Sequence, residues 1–353
     1  MKRRTLLTSA LAAPLASSPV LRSRAAEPAP AAGWRRFEVT TRVTLRDSPG
    51  PARLWLPVAQ TAGSYQAALD LRWQGGGRAE LVHDSRYGAG MLRCTWDGPA
   101  PAQQIEMVQV VATRDRGPAE LLPLTAAERA FWTAPTPSAP TDGIVRETAE
   151  KITAGRTTPR DRLRAIYDWV VDSTWRNPDT PGCGTGDFST MLRTGNFGGK
   201  CADINGLVVG LARAAGFPAR DVYGIRVAES RLFPSLGKSG AVSKAQHCRA
   251  EAFLEDEGWF PIDPADVRKV VLEEKLPIDS ADVRMLRDRL FGYWEMNWVG
   301  YNSATDVQLP GAVHFRPNFS FLMYPCAFTA TGQPDCLSSD RFRYEITSRE
   351  VAA

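Results

Sequence analysis

Histidine is nearly missing from this chain: His83, His247 and His314 are the three in 353 residues. Six cysteines are present, but no two are spaced as a Cys-x-x-Cys pair. Scarce imidazole and unpaired cysteine spacing leave no zinc-site pattern, and the reading implies neither a metal nor a cofactor. No long apolar run is present either. The most apolar stretch, residues 6–21, is broken by Pro14 and Pro19 and is too short and polar to be a good membrane span. No internal repeat is found.

The first 25 residues read as an export signal. Lys2, Arg3 and Arg4 form a positive start, a mildly apolar Ala- and Ser-rich stretch follows, and Ser23-Arg24-Ala25 offers small residues at a cleavage site. Arg3-Arg4 before Leu6-Leu7 resembles a twin-arginine signal. A disordered terminus or an uncleaved anchor are the alternatives. Without this segment, Lys plus Arg falls from 43 to 38 against 39 acidic residues. The mature chain is then close to neutral and carries no basic stripe for nucleic acid. The expectation is an exported protein, periplasmic or extracellular, with no integral membrane segment after signal removal. An oxidising compartment permits disulfides, and Cys326 with Cys336, flanking a Gly-Gln-Pro turn, is the first choice for a pair.

Residues 26–33 are Pro- and Ala-rich and read as a linker. From Trp34 the texture becomes short alternating runs. These are 37–45, Arg53 to Val58, Leu69 to Trp73, Ala79 to His83, Met91 to Trp96 and Gln104 to Thr113, separated by Gly, Pro and Asp turns. That spacing predicts a small β-sandwich over 34–115. Helices take over in a core region placed at 116–275. Thr125 to Glu128 has the form of a capping box, residues 144–152 read as a helix, and Thr158-Pro159 opens a stronger one. A short helix is expected from Asp187 to Arg193. Another starts near Cys201 and stops at Gly216-Phe217-Pro218. Strands are expected at 219–227, 246–254 and 259–263. The loop 228–244 between the first two is rich in Ser, Gly and Lys. The remainder, 276–353, reads as a C-terminal extension whose strands, near 321–324 and 342–346, pack on the core. A helix is expected near 281–290.

The chemistry gathers in the helical part. Cys201 follows Gly198-Gly199-Lys200 and opens a helix. Unpaired N–H groups and the peptide dipole favour a thiolate there. The two glycines admit a substrate backbone, and the Cys201 N–H is placed to serve an oxyanion. On the strand 246–254, Cys248, Ala250, Ala252 and Leu254 share one face, so His247 points the other way. Asp263 ends the next strand. If Glu255-Asp256-Glu257 is a three-residue turn, Arg249 faces Asp263, and Asp263 and His247 are diagonal neighbours. An even-length turn would separate them. Nucleophile, base and orienter then coexist as Cys201, His247 and Asp263.

Gly199-Lys200-Cys201-Ala202-Asp203, the phrase from Leu211 to Arg220, and Gly258-Trp259-Phe260-Pro261-Ile262-Asp263-Pro264 resemble the transglutaminase-like superfamily over roughly 140–270. The resemblance implies an α+β fold: a papain-like transglutaminase core, preceded here by the β-sandwich. It implies a cysteine hydrolase or acyltransferase with Cys201 as nucleophile, His247 as base and Asp263 as orienter. It suggests Trp175 as an aromatic helper of the oxyanion, a core role being the alternative. The family's His is often followed by an aromatic residue, whereas His247 is followed by Cys248 and then Arg249. Arg249 either binds a substrate carboxylate or pairs with Glu251 or Asp263. No calcium-loop pattern is evident. The expected substrate is a peptide, a protein or a cell-wall peptide. Two other readings stay open: a catalytically silent binding module with the same fold, and a redox protein joining Cys201 to Cys183 or Cys248.

Overall fold

The computed structural model describes residues 33–352 apart from 46–49, 99–102, 119–121, 313–319, 338 and 340–341. The stretch read as an export signal, almost all of the expected linker and His314 lie outside the described residues. Among the described residues no helix is long and apolar enough to cross a membrane.

Six strands come first: β1 (Arg35–Leu45), β2 (Ala52–Pro57), β3 (Gln66–Gly75), β4 (Arg78–His83), β5 (Gly90–Trp96) and β6 (Gln103–Thr113). Their two-residue period sorts side chains by face. In β1 the odd positions Phe37, Val39, Thr41 and Val43 are buried. Glu38 and Arg42 instead pair across the outer face with Arg72 and Glu106. Helices α1 (Ala126–Thr133), α2 (Ile144–Thr153) and α3 (Pro159–Ser173) follow. Thr125 and Glu128 form the expected capping box, and Thr158 accepts from the Asp161 N–H. Next come β7 (Trp175–Arg176), α4 (Phe188–Thr194), β8 (Gly198–Gly199), α5 (Cys201–Ala214), β9 (Ala219–Arg226), β10 (Gly240–Ala241), β11 (Gln246–Leu254) and β12 (Gly258–Ile262). The chain finishes with α6 (Pro264–Glu273), α7 (Ala281–Arg289), β13 (Trp298–Asn302), β14 (Cys326–Phe328) and β15 (Tyr344–Val351).

A five-stranded and a four-stranded sheet make the sandwich, ordered β10-β15-β1-β6-β3 and β14-β2-β5-β4. Leu54, Leu56, Leu92 and Cys94 of one meet Phe37, Val39, Ile105 and Met107 of the other in the main core. The third sheet, β12-β11-β9-β13, is antiparallel throughout. Helix α5 lies against β11 and β9, with α2, α3, α4 and α6 around it. Every residue from Cys201 to Arg213 is buried. Gly210 makes this possible on one side, because a Cβ there would sit 2.4 Å from the Phe188 ring of α4.

The C-terminal extension divides between the two halves. β13 joins the third sheet beside β9, whereas β14 and β15 complete the sandwich by pairing with β2 and β1. The strand expected at 321–324 is buried loop. Phe321 stacks on Tyr223 at 4.7 Å and the strand itself is Cys326–Phe328. Helix α6 was not expected. The pairing of Cys326 with Cys336 is not formed, and all six thiols are free. Strand β14 turns Cys326 into a small cluster with Trp55 and Leu322, while Cys336 packs in the main core.

Candidate active site

Three motifs converge because the turns between elements are short and tied down. Arg213, near the end of α5, donates from Nε to Ala219 O at 2.7 Å and fixes the entry into β9. Arg220 then pairs with Glu251 at 2.5 Å, locking β9 to β11. The β11–β12 hairpin turns through three residues, with Leu254 opposite Gly258 and Ala250 opposite Ile262. This is the odd-length turn that sets Asp263 diagonal to His247.

His247 Nε2 and Asp263 Oδ2 lie 2.8 Å apart, both buried. The Cys201 thiol sits beside His247 and two further thiols, Cys183 and Cys248, and Cys183 Sγ donates to Gln246 O at 3.2 Å. Cys201 is the first residue of α5, so its N–H has no acceptor within the helix. Ahead of it, Asp203 accepts from the N–H groups of Thr185, Gly186 and Lys200 at 2.9–3.0 Å. A Cβ on Gly184 or Gly199 would overlap a carboxylate oxygen of Asp203 at 1.8 or 2.8 Å. The glycines and Asp203 thus set the approach to Cys201 together.

Electrostatics favour an ion pair. Burial alone would raise the Cys201 thiol, but the neighbouring Cys183 and Cys248 thiols and His247 bring it well below the ordinary thiol range. Cys183 and Cys248 are themselves pushed well up, by Cys201 beside them and by burial. Burial and Arg226 act to lower His247. Asp266 and Asp263 outweigh them and raise it. The two shifts run in opposite directions, the thiol toward thiolate and the imidazole toward imidazolium.

Four residues that sequence reading missed hold this arrangement. Asn205, one turn beyond Cys201 and fully buried, donates to Asp263 Oδ1 at 3.2 Å and to Cys248 O at 2.8 Å. Its own oxygen accepts from the Ala265 N–H. Trp298 donates from its indole to His247 O at 2.8 Å. Asp266 lies 3.4 Å from His247 Nε2 and is bound by Arg226 at 2.5 Å. Asp263 also caps α6, accepting from the Asp266 N–H at 3.1 Å. An uncharged amide in the apolar stripe of α5 was the one signal that could have exposed Asn205.

Two candidates fall elsewhere. Arg249 does not reach the cleft. It is buried behind the histidine, donating to Glu295 O at 2.8 Å, 3.7 Å from Asp263 and stacked on Trp298. Its strand face is covered by the segment leading into β13, so it cannot meet a substrate carboxylate. Trp175 is 43% exposed, with its indole against Gly198, and it is not among the residues lining the cleft. His247, Asp263 and Asp266 together have the composition of a metal site. They do not suit a cation, because the guanidinium groups of Arg226 and Arg249 already occupy the carboxylates' free side.

The cleft over Cys201 and His247 has a volume of about 840 Å³. One wall is the 228–245 loop, and Tyr324, Leu337 and Tyr344 of the C-terminal extension complete it.

A mixed α and β chain with a buried helix-borne Cys, a strand-borne His and a following Asp defines a fold class that can be compared. Residues 146–264 match the core model of the transglutaminase-like superfamily. An uncharacterized protein of Haemophilus influenzae is 34% identical over 335 residues, covering 88% of this chain and 89% of that one. A candidate cysteine protease from Cytophaga hutchinsonii shares the fold at 14% identity with a TM-score of 0.55, over 95% of this chain and 93% of that one. The periplasmic domain of TgpA from Pseudomonas aeruginosa shows a weaker likeness, with 15% identity, a TM-score of 0.36, and 72% and 93% coverage. The chain belongs to the transglutaminase-like superfamily.

Proposed function

We propose that the protein is an exported cysteine enzyme that cleaves or transfers acyl groups at amide bonds of peptides or proteins. The observation that carries this is the 2.8 Å contact of His247 with Asp263 beside the buried Cys201 thiol at the start of α5. In this reading the Cys201 sulfur attacks the amide carbonyl carbon and forms a C–S bond. The oxygen takes up negative charge and accepts from the Cys201 N–H. The His247 imidazolium then gives its proton to the amide nitrogen as the C–N bond breaks and the amine leaves. A thioester remains. Water, deprotonated by the now neutral His247, attacks it, the C–S bond breaks, and the thiolate–imidazolium pair returns. An amine taking the place of water gives transfer instead. Asp263 stays ionised and orients the ring, and Asn205 orients Asp263.

Export rests on the N-terminal Arg-Arg signal pattern. A silent binding module would have little use for a depressed thiol. The test is a thiol-reactive probe, followed by a screen of peptide amides that reads ammonia release and amine incorporation in parallel. Selective labelling of Cys201, weakened in His247→Ala, with turnover lost in Cys201→Ala, is the expected result. Labelling no faster than that of an ordinary thiol, with no Cys201-dependent turnover, would leave the binding module as the better reading.

A further inference from the structure

The cleft is lined by six cationic side chains, Arg176, Lys200, Arg226, Lys238, Lys244 and Lys269, against one carboxylate, Glu273. Some of this charge is spent locally. Arg226 is bound by Asp266 at 2.5 Å. Arg176 and Lys269 share Glu273, at 3.1 and 3.6 Å. Among the described residues, no carboxylate lies within ion-pairing distance of Lys200 or Lys238. Even with Lys244 set aside, the lining keeps three more cations than carboxylates, counting Asp266 with Glu273. The thiolate–imidazolium pair is neutral as a whole and does not cancel this excess. The near-neutral mature chain has not spread its charge evenly, for the loop that walls the cleft brings both Lys238 and Lys244.

Two further observations point the same way. Gln246 Nε2 and Ser235 Oγ belong to residues lining the cleft, and both are buried with no hydrogen-bond partner among the described residues. Unpaired buried donors call for an acceptor-rich ligand. The Lys269 ammonium is held below its ordinary range by burial and by Arg226, as expected where positive charge is crowded.

We propose that the substrate class is acidic peptides, whose carboxylates flank the scissile amide and lie between Lys200, beside the nucleophile, and Lys238 on the opposite loop. This rests on the acyl-transfer reading above and adds the chemistry of the substrate. A cleft with one sign of charge and low-dielectric walls concentrates oppositely charged ligands. Such selectivity is strongest at low ionic strength.

The test separates binding from turnover. Three matched fluorescent peptide amides carry Glu, Gln or Lys on both sides of one central amide. Their affinity is measured by anisotropy on the full-length mature Cys201→Ala protein, and turnover is measured on the unmodified enzyme. The Glu peptide should bind at least about tenfold tighter than the Gln peptide near 50 mM salt, and the gap should shrink as salt rises. Lys238→Glu, on the exposed loop, should cut that ratio several-fold, and adding Lys200→Glu should bring it to one or below. Equal binding of Glu and Gln peptides, or preference for Lys, overturns the acidic class. Cys201-dependent turnover with no charge preference would retain the enzyme and discard this inference. Glu-selective binding with no turnover of any peptide would do the reverse.

Discussion

The sandwich and the third sheet are both antiparallel, yet they treat charge in opposite ways. In the sandwich, charged groups sit on outer faces. Arg42 pairs there with Glu106 and Arg72 with Glu38, and both arginines keep more than a third of their surface in water. In the third sheet every residue of β11 is buried, including His247, Arg249 and Glu251. Glu251 is held there between Arg116 and Arg220. Exposed pairs are screened and contribute little. Buried ones must be completed by geometry, because a lone partner is expensive. The polar groups in the dry half are therefore the ones whose exact placement matters.

The contrast can be broken most severely at the proposed nucleophile. Cys201→Ala should lower turnover by at least about 10³-fold while leaving the unfolding midpoint little changed, read by amide hydrolysis and thermal denaturation. Next in size is Arg226→Met, which leaves Asp266 buried without its cation. A loss of about 3–5 kcal/mol is expected in urea unfolding, and a loss below 1 kcal/mol would mean that the pair is not needed. Asn205→Ala should cost about 1–3 kcal/mol of stability for the buried Ala265 N–H that loses its acceptor, and it should lower kcat more than it raises KM. At the small end, Arg42→Ala in the sandwich should change stability by at most about 1 kcal/mol.

The pH profile sharpens the same comparison. The Cys201 thiol is lowered and the His247 imidazolium raised, and both shifts widen the pH range in which a thiolate and an imidazolium coexist. Activity should fall as pH drops through the thiol's value and as pH rises through the imidazolium's. Alkylation of Cys201 by iodoacetamide should already be fast below pH 7. A rate that climbs with a midpoint near 8.5, as for a free thiol, would contradict the ion pair.

Much of this was legible because it is local. The strand runs of the sandwich, the caps of α1 and α3, and the stop after α5 are written in turn and cap residues. The hairpin register followed from the length of Glu255-Asp256-Glu257, which decides side-chain faces. What escaped was carried by tertiary contact. Pro264 reads as a strand terminator, yet with Asp263 at its N-cap it is the first residue of α6. β13, with Gly300 at its centre, has weak strand character of its own. A Cβ on Gly224 would meet Val299 O at 2.2 Å and the Trp298 ring at 2.5 Å, so that pairing needs two matched glycines far apart in sequence. Asn205, Trp298 and Asp266 look like ordinary residues until the elements around them are assembled.

Strand β15 lies between β1 and β10. It pairs Arg36 with Val351 and Val43 with Tyr344 on one edge, and Gly240 with Ser348 on the other. The first strand therefore waits for a neighbour made some 300 residues later, a closure of high contact order that slows folding. The same neighbour pins the loop carrying Lys238. A single proteolytic cut just ahead of β15 would thus unzip one flank of the sandwich and let the working cleft lose its far wall in the same event.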